Sequence, residues 1–296
     1  TAAKLVELAP ADMVQREDFI EHLVSGCGSV PRYKGATRSE LEAYFKEAEQ
    51  ILQRTLDLPG GSVLCGSELP SRLARVKNPP LLLHCLGDVS LLGASSAAVI
   101  GTRHPTAFGT EAAKSFGRIL AGKDLVVVSG LALGCDTGGH LGCLEAGGRT
   151  VAVLAHGLGF EEIYPPENRE LAERIVNKGG LLVSEYAVGT PTHRNFFVQR
   201  DRIQAGLSDF VIVVETGVKG GTLHTVKFAG EAGIPVHALD HPPELQHEEQ
   251  VQGNLMLIEE GRASLISADQ KGVDGASGSA HPETTSKSTP VQGELF

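Results

Sequence analysis

A doubly wound, mostly parallel α/β sheet is the fold class this sequence predicts, with a small helical N-terminal part and a disordered C-terminal tail. Three observations carry it. From about residue 81, short aliphatic runs alternate with amphipathic stretches, the pattern of strands joined by crossover helices. The 296 residues suffice for one large or two small domains with a substantial core. The 36 glycines are the one clear compositional excess, and they gather in turns that follow the aliphatic runs.

Taken in order, residues 1–70 carry two helical signals, Gln15 to Val24 and Ser39 to Leu56, with the turn Ser25 to Pro31 between them. Ser39 and Glu42 have the spacing of a capping box. The strands then read Leu81 to Leu86, Ala97 to Ile100, Leu125 to Val128, Val151 to Leu154, Leu181 to Val183, Phe210 to Val214 and Val236 to Leu239. Helices fit between them at Thr110 to Ala121, Gly134 to Ala146, Glu167 to Lys178, Val198 to Gly206 and Thr222 to Ala232. Residues 71–245 thus form the main domain, and Val236 to Leu239 is expected at a sheet edge open to self-association. Residues 246–296 lose periodicity; from Ala268 to Val291 they offer almost no large apolar side chain and are expected to stay disordered.

Lys and Arg number 26 against 36 Asp and Glu, a net charge of −10. That excludes a globally basic coat, so any polyanion site must be a local patch. No apolar run reaches the roughly 18 residues of a membrane span, and the first 30 residues are broken by Lys4, Glu7, Asp12, Arg16 and Glu17. The expectation is a cytoplasmic protein without membrane contact. The five cysteines, Cys27, Cys65, Cys85, Cys135 and Cys143, form no C-x-x-C pair, and they read as reduced, mostly buried thiols rather than a metal site.

In an open parallel sheet, ligands bind at the carboxyl ends of the strands, where helix amino ends present N–H groups. The turns there hold Gly101-Thr102-Arg103, Ser129-Gly130 running on to Asp136, Ala155-His156-Gly157, and Lys219-Gly220-Gly221-Thr222. Glycines, hydroxyls and the two cations Arg103 and Lys219 on one crest suit the cradling of phosphate oxygens. A further basic segment runs from Arg194 through Phe196 and Phe197 to Arg200, Asp201 and Arg202. Arg200 and Arg202, two apart, do not share a helix face, so at most one points to a given phosphate. Asp136 and His140, at i and i+4, read as a capping residue and a loop-holding histidine; no nucleophile accompanies them.

Several of these motifs resemble, in order and spacing, those of the DNA-processing protein A (DprA, or Smf) family. They are Pro79-Pro80-Leu81 with Gly87-Asp88, Gly101-Thr102-Arg103, Ser129 to Asp136 with His140, and Tyr164-Pro165 with Asn168, followed by Ser184-Glu185-Tyr186, Arg200-Asp201-Arg202-Ile203 and Lys219-Gly220-Gly221-Thr222. The resemblance covers roughly residues 70–242. It implies an extended Rossmann-like domain that binds single-stranded DNA without base specificity and loads the recombinase RecA, usually as a homodimer, with no catalysis and no cofactor. Carried over by position, Arg103, Ser129, Gly130, Arg200, Arg202 and Lys219 would contact DNA phosphates beside Gly101, Thr102, Gly220, Gly221 and Thr222, and Phe196 would offer a stacking face. The chain departs from the family at Asp201, where Asn is usual, and at Gly220, where Ser is usual; a carboxylate beside a phosphate is unfavourable unless it pairs with a cation. Transformation, repair and phage defence stay open as pathways.

Two other readings stay open: a phosphoribohydrolase-like enzyme and a nucleotide-binding sensor on the same fold. Lys219-Gly220-Gly221-Thr222 is similar to the glycine turn of such hydrolases, but Lys219 replaces their Pro and His224 stands where a catalytic Glu is expected. The last five residues, Gln292-Gly293-Glu294-Leu295-Phe296, resemble the Q-x-x-L-F peptide that inserts into the bacterial sliding clamp, which makes the clamp a candidate partner through Gln292, Leu295 and Phe296.

Overall fold

A computed structural model describes residues 37–280. The segment Gln15 to Val24, the turn Ser25 to Pro31, Cys27 and the terminal peptide lie outside the described residues.

The chain order is α1 (Arg38–Leu56), β1 (Gly61–Cys65), β2 (Leu82–Gly87), β3 (Ser96–Ile100), α2 (Ala107–Ala121), β4 (Val126–Ser129), α3 (Cys135–Glu145), β5 (Thr150–Leu154), α4 (Arg169–Asn177), β6 (Leu181–Ser184), α5 (Arg194–Gly206), β7 (Phe210–Val213), α6 (Thr222–Glu231), β8 (Val236–Leu239), α7 (Glu249–Glu259), β9 (Ser264–Ile266) and α8 (Gln270–Ala280). The strands join one sheet in the order β1-β2-β6-β5-β4-β3-β7-β8-β9. From β6 to β9 every pairing is parallel, while β2 runs antiparallel to both β6 and β1. The predicted doubly wound, mostly parallel sheet is therefore present.

Strand alternation divides the core in two. Ala97, Val99, Val127, Phe210 and Ile212 face α2, α3 and α8, whereas Ala98, Ile100, Val211 and Val213 face α6 and α7. Because the chain winds from β3 outward through β4 and β5, then returns to β7 on the other side of β3, the loops leaving β3 and β7 diverge. A crevice opens at that switch of direction.

Several expectations need correction. The α1 capping box is formed by Thr37 and Glu40, two residues earlier than read: Glu40 N donates to Thr37 Oγ1 at 3.3 Å and Thr37 N donates to Glu40 Oε2 at 2.8 Å. Gly61–Cys65, inside the region read as helical, is a strand paired with β2. Helix α5 begins at Arg194, a turn before Val198, with His193 Nδ1 accepting from Asn195 N.

The largest correction concerns the part after residue 245, which folds as far as 280. Val251, Asn254 and Leu257 of α7 are fully buried. Asn254 Nδ2 donates to Val214 O at 2.9 Å, and its Oδ1 accepts from Thr216 N at 2.9 Å. Val273 and Ala276 of α8 join the core, and Asp274 pairs with Lys123, just past the end of α2. Small side chains are enough here because the helix caps a core that the sheet has already built. Strand β9 pairs with β8, so the stretch Val236–Leu239 is not the sheet edge. No helix among the described residues is long and apolar enough to cross a membrane. Cys85, Cys135 and Cys143 are buried free thiols and Cys65 is exposed; burial pushes Cys85 and Cys143 each up to about 12.

Candidate nucleic-acid interface

The crevice at the carboxyl ends of β3 and β7 is a cleft of about 400 Å³. Its first wall is the loop after β3. A Cβ on Gly101 would lie 2.5 Å from Cys135 Sγ and 2.8 Å from Glu215 O, so only glycine lets the loop close onto α3 and β7. Thr102 N donates to Glu215 O at 2.7 Å and Thr102 O accepts from Cys135 N at 3.2 Å. Arg103 leaves this braced turn exposed to solvent, with its guanidinium 5.7 Å from the centre of the Phe197 ring.

The opposite wall follows β7. Glu215, fully buried, accepts from Thr106 N at 2.7 Å and Thr106 Oγ1 at 2.6 Å, and its Oε1 lies 3.3 Å from His241 Nε2. That carboxylate ties the two walls together. Beyond it Lys219 is exposed. Helix α6 opens at Thr222 with no side-chain cap on its amino end, which leaves the positive end of the helix dipole on the cleft. A Cβ on Gly221 would meet nothing within 4 Å; the open space lies beside the helix end.

Part of the expected crest is instead foundation. Ser129 is fully buried and its Oγ donates to Val99 O at 2.6 Å, so its hydroxyl is not available to a ligand. Gly130 N donates to Asp136 Oδ2 at 3.1 Å, and a Cβ there would lie 1.7 Å from Arg200 Nη1. Arg202 is 6% exposed, donates from both terminal nitrogens to Glu185 at 2.6 Å, and reaches Asn78 O from Nε at 2.7 Å. It is a structural ion pair. Arg200 does reach the cleft, yet it is also 6% exposed and gives Nη1 to Val153 O at 2.8 Å. The two arginines leave α5 in different directions, as their spacing requires.

Asp201 lies on the cleft with its Oδ1 3.3 Å from Arg200 Nε. Burial raises it to about 7 in spite of the Arg200 charge, and Asp136 pushes the same way. Asp136 is raised by burial too, against Arg200 and the loop N–H groups of Ala132 and Gly130. His140 is lowered to about 3 by burial, with Arg200 adding to the effect, and its Nδ1 is 2.7 Å from Thr150 Oγ1. Asp136 therefore holds the loop after β4 rather than capping α3, whose N-cap Gly134 makes no side-chain cap bond, and His140 ties α3 to Thr150 of β5 rather than to the loop.

Of the two adjacent phenylalanines it is Phe197, not Phe196, that lines the cleft. Phe196 stacks on Tyr186 with ring centres 3.9 Å apart, whereas Phe197 lines the cleft and meets Tyr164 edge-on at 5.9 Å. Gln204, Thr216 and Thr225 also line it and were not picked out. The signal was available: with the helix starting at Arg194, positions 197, 200, 201 and 204 form one i, i+3/i+4, i+7 stripe.

Comparison with known proteins agrees. The model of the DNA recombination-mediator protein A family matches residues 63–275. The chain is 38% identical over 207 residues to Protein Smf of Synechocystis, covering 69% of this chain and 50% of that protein, so it spans half the length of that relative. Among solved structures, the X-ray structure of DNA processing protein A from Streptococcus pneumoniae superposes with a TM-score of 0.71 at 27% identity, covering 93% of this chain and 97% of the other. The DNA processing protein A of Helicobacter pylori, whose structure is described for its unique single-stranded DNA binding mode, gives a TM-score of 0.62 at 30% identity over 70% of this chain and 90% of that one. With the switch-point cleft, its glycine turns and this match over most of the described fold, the chain belongs to the DNA recombination-mediator protein A family, the DprA/Smf group of DNA-processing proteins.

Proposed function

We propose that this chain binds single-stranded DNA along the β3/β7 cleft, without turnover. The observation that carries the reading is that the exposed Arg103 lines the cleft together with the amino end of α6, which no side chain caps, while the exposed Lys219 lines an adjoining hollow that shares Thr102, His104, Gly217 and Gly220 with it. Arg194 adds a third exposed cation at its mouth. Phosphates are held at the rim by these charges and by backbone N–H groups, while Phe197, with Arg103 over it, offers a base a stacking face. The single-stranded DNA binding described for the Helicobacter pylori relative supports the same reading.

The wider proposal is that the bound strand is passed to RecA by a cytoplasmic homodimer, with Gln292, Leu295 and Phe296 as a clamp-binding end. The experiment is a salt-titrated binding assay with oligo-dT. Each phosphate contact contributes about −0.7 to the log–log slope for a single strand. Arg103→Ala and Lys219→Ala are each expected to weaken binding to every sequence alike and to flatten the slope by about that amount. A shallow slope with saturation by one mononucleotide would favour the nucleotide-sensor reading. Parental affinity in either variant at all salt concentrations would remove that residue from the site.

A further inference from the structure

Two helices on the same face of the sheet are built very differently. Helix α2 buries Ala112, Ala113, Phe116 and Leu120. Helix α8 has 11 residues and contributes only Val273 and Ala276 to that core. Gly272, Gly275 and Gly278 all lie within it. Glycine is the weakest helix former after proline, and an isolated helix shorter than about 12–15 residues is marginal in water. Gly272 has a steric reason, since a Cβ there would lie 2.3 Å from Ser267 O. At Gly275 and Gly278 a Cβ would meet nothing within 4 Å, so the helix carries two weakening residues that its packing does not require.

The attachment of α8 is equally slight. Its ion pair to the rest of the described fold joins Asp274 to Lys123, and with the Asp274 side chain 59% exposed such a pair holds weakly. The chain just before α8 is pinned instead: β9 pairs with β8, and Ser115 Oγ of α2 donates to Ala268 O at 3.1 Å. Fixed and loosely held chain therefore meet at Asp269. Beneath α8 lies a group that gains from its departure. The helix touches β7 and β9, which flank β8, so it crosses β8. His237 of β8 is in register with Ile212, which lies on the covered face, and stands edge-on to Phe210 with ring centres 5.9 Å apart. Its Nε2 is buried and has no hydrogen-bond partner among the described residues. A buried polar atom left unpaired carries a desolvation cost that contact with water relieves.

We propose that α8 is a releasable strap: it undocks as a unit from α2 and from β7 to β9 while the sheet stays folded. Undocking uncovers the apolar groove around Phe210 and His237 and frees the chain from Asp269 onward. Extended, residues 269–280 add at most about 40 Å to the reach of whatever follows residue 280. The strap stands on the fold alone and is independent of the single-strand reading.

Hydrogen exchange of the full chain tests it, read on the amides of residues 274–280 against those of β7. In the parent the α8 amides are expected to be protected at least about a hundredfold less than those of β7, because they open without the sheet. Gly275→Ala/Gly278→Ala should raise α8 protection about 25-fold, about fivefold for each glycine removed from the helix. Val273→Ser should bring the α8 amides close to unprotected rates while β3, β4 and β7 stay protected. Equal protection of α8 and β7 in the parent, an unchanged α8 in the double alanine variant, or loss of sheet protection in Val273→Ser would each overturn the strap.

Discussion

On the crest after β3 and β7, Arg103 and Lys219 stand exposed on glycine-bearing loops, whereas in α5 Arg200 and Arg202 are both 6% exposed and already engaged by carbonyls and carboxylates. The motif residues are all cationic; what separates them is whether their donors are satisfied within the fold. A guanidinium neutralised by Glu185 presents little charge to a polyanion, while one that, among the described residues, pairs with no carboxylate and sits over a phenyl ring presents nearly all of it. Substitutions on the crest should therefore change ligand affinity with little effect on stability, and those in α5 the reverse.

The largest effect is expected at Arg202. Removing it strands the partly buried Glu185 and frees Asn78 O, and breaking a buried pair from one side typically costs about 3–5 kcal/mol; because the Glu185 side chain keeps 19% exposure, the lower end is expected. Urea unfolding of Arg202→Ala measures this, and the double variant Arg202→Ala/Glu185→Ala should recover part of the loss. A soluble Arg202→Ala with parental stability and lost DNA affinity would dissolve the contrast between crest and helix.

The adjacent phenylalanines sharpen the same contrast. Phe197→Ala should lose about 1–3 kcal/mol of single-strand binding, the usual worth of a base-stacking aromatic, with an unchanged salt slope. Phe196→Ala breaks the stack on Tyr186 and should lower the melting temperature while leaving affinity in place. Oligonucleotide titration and thermal melting of both variants would expose a reversed assignment.

How much of this was legible beforehand follows from the same distinction. The strands β2 to β8 could be read because a strand buried by a doubly wound sheet must be an aliphatic run, as in Val126 to Val128 or Phe210 to Val214. Gly101, Arg103, Lys219 and Gly221 were legible for a related reason: the turns after such strands face the crevice whatever their sequence. Helix α8 was not legible, since Val273 and Ala276 are its buried apolar contribution and its Gly- and Ser-rich sequence matches that of a linker. The burial of Ser129 and Arg202 was equally invisible, because their partners Val99 O and Glu185 are distant in the chain. Phe196 and Phe197 fell before a helix read as starting at Val198, whereas α5 starts at Arg194, so the face that Phe197 shares with Arg200 and Gln204 was not visible.

The carboxylate on the floor gives a pH test of the buried side. Asp201 is raised to about 7 from an unfolded value near 3.8, so the folded state binds the extra proton, and this group's stabilising contribution falls as pH rises through that window. His84, His140 and His156, lowered chiefly by burial, act in the opposite sense and weaken the fold as pH drops below about 6.5. Comparing Asp201→Asn with the parent cancels the histidines. The variant should gain melting temperature relative to the parent progressively from pH 4 to pH 7 and then level off. A constant difference across that range would mean that Asp201 is ionised in the folded protein throughout.

The smallest expected effect probes the crest where it is emptiest. Gly221 has φ −58° and ψ −30°, a conformation open to any residue, and a Cβ there meets nothing within 4 Å; the fold has no need of glycine at this position. Gly130 differs, since its Cβ would strike Arg200. If the space beside the amino end of α6 is where a phosphate sits, Gly221→Ala should leave stability within about 0.5 kcal/mol of the parent and weaken oligo-dT binding by a small factor of about three, because a methyl group holds the phosphate off the N–H groups it would otherwise approach. Parental affinity in a parentally stable Gly221→Ala would move the phosphate away from α6 and leave Arg103 to hold the strand from the other wall.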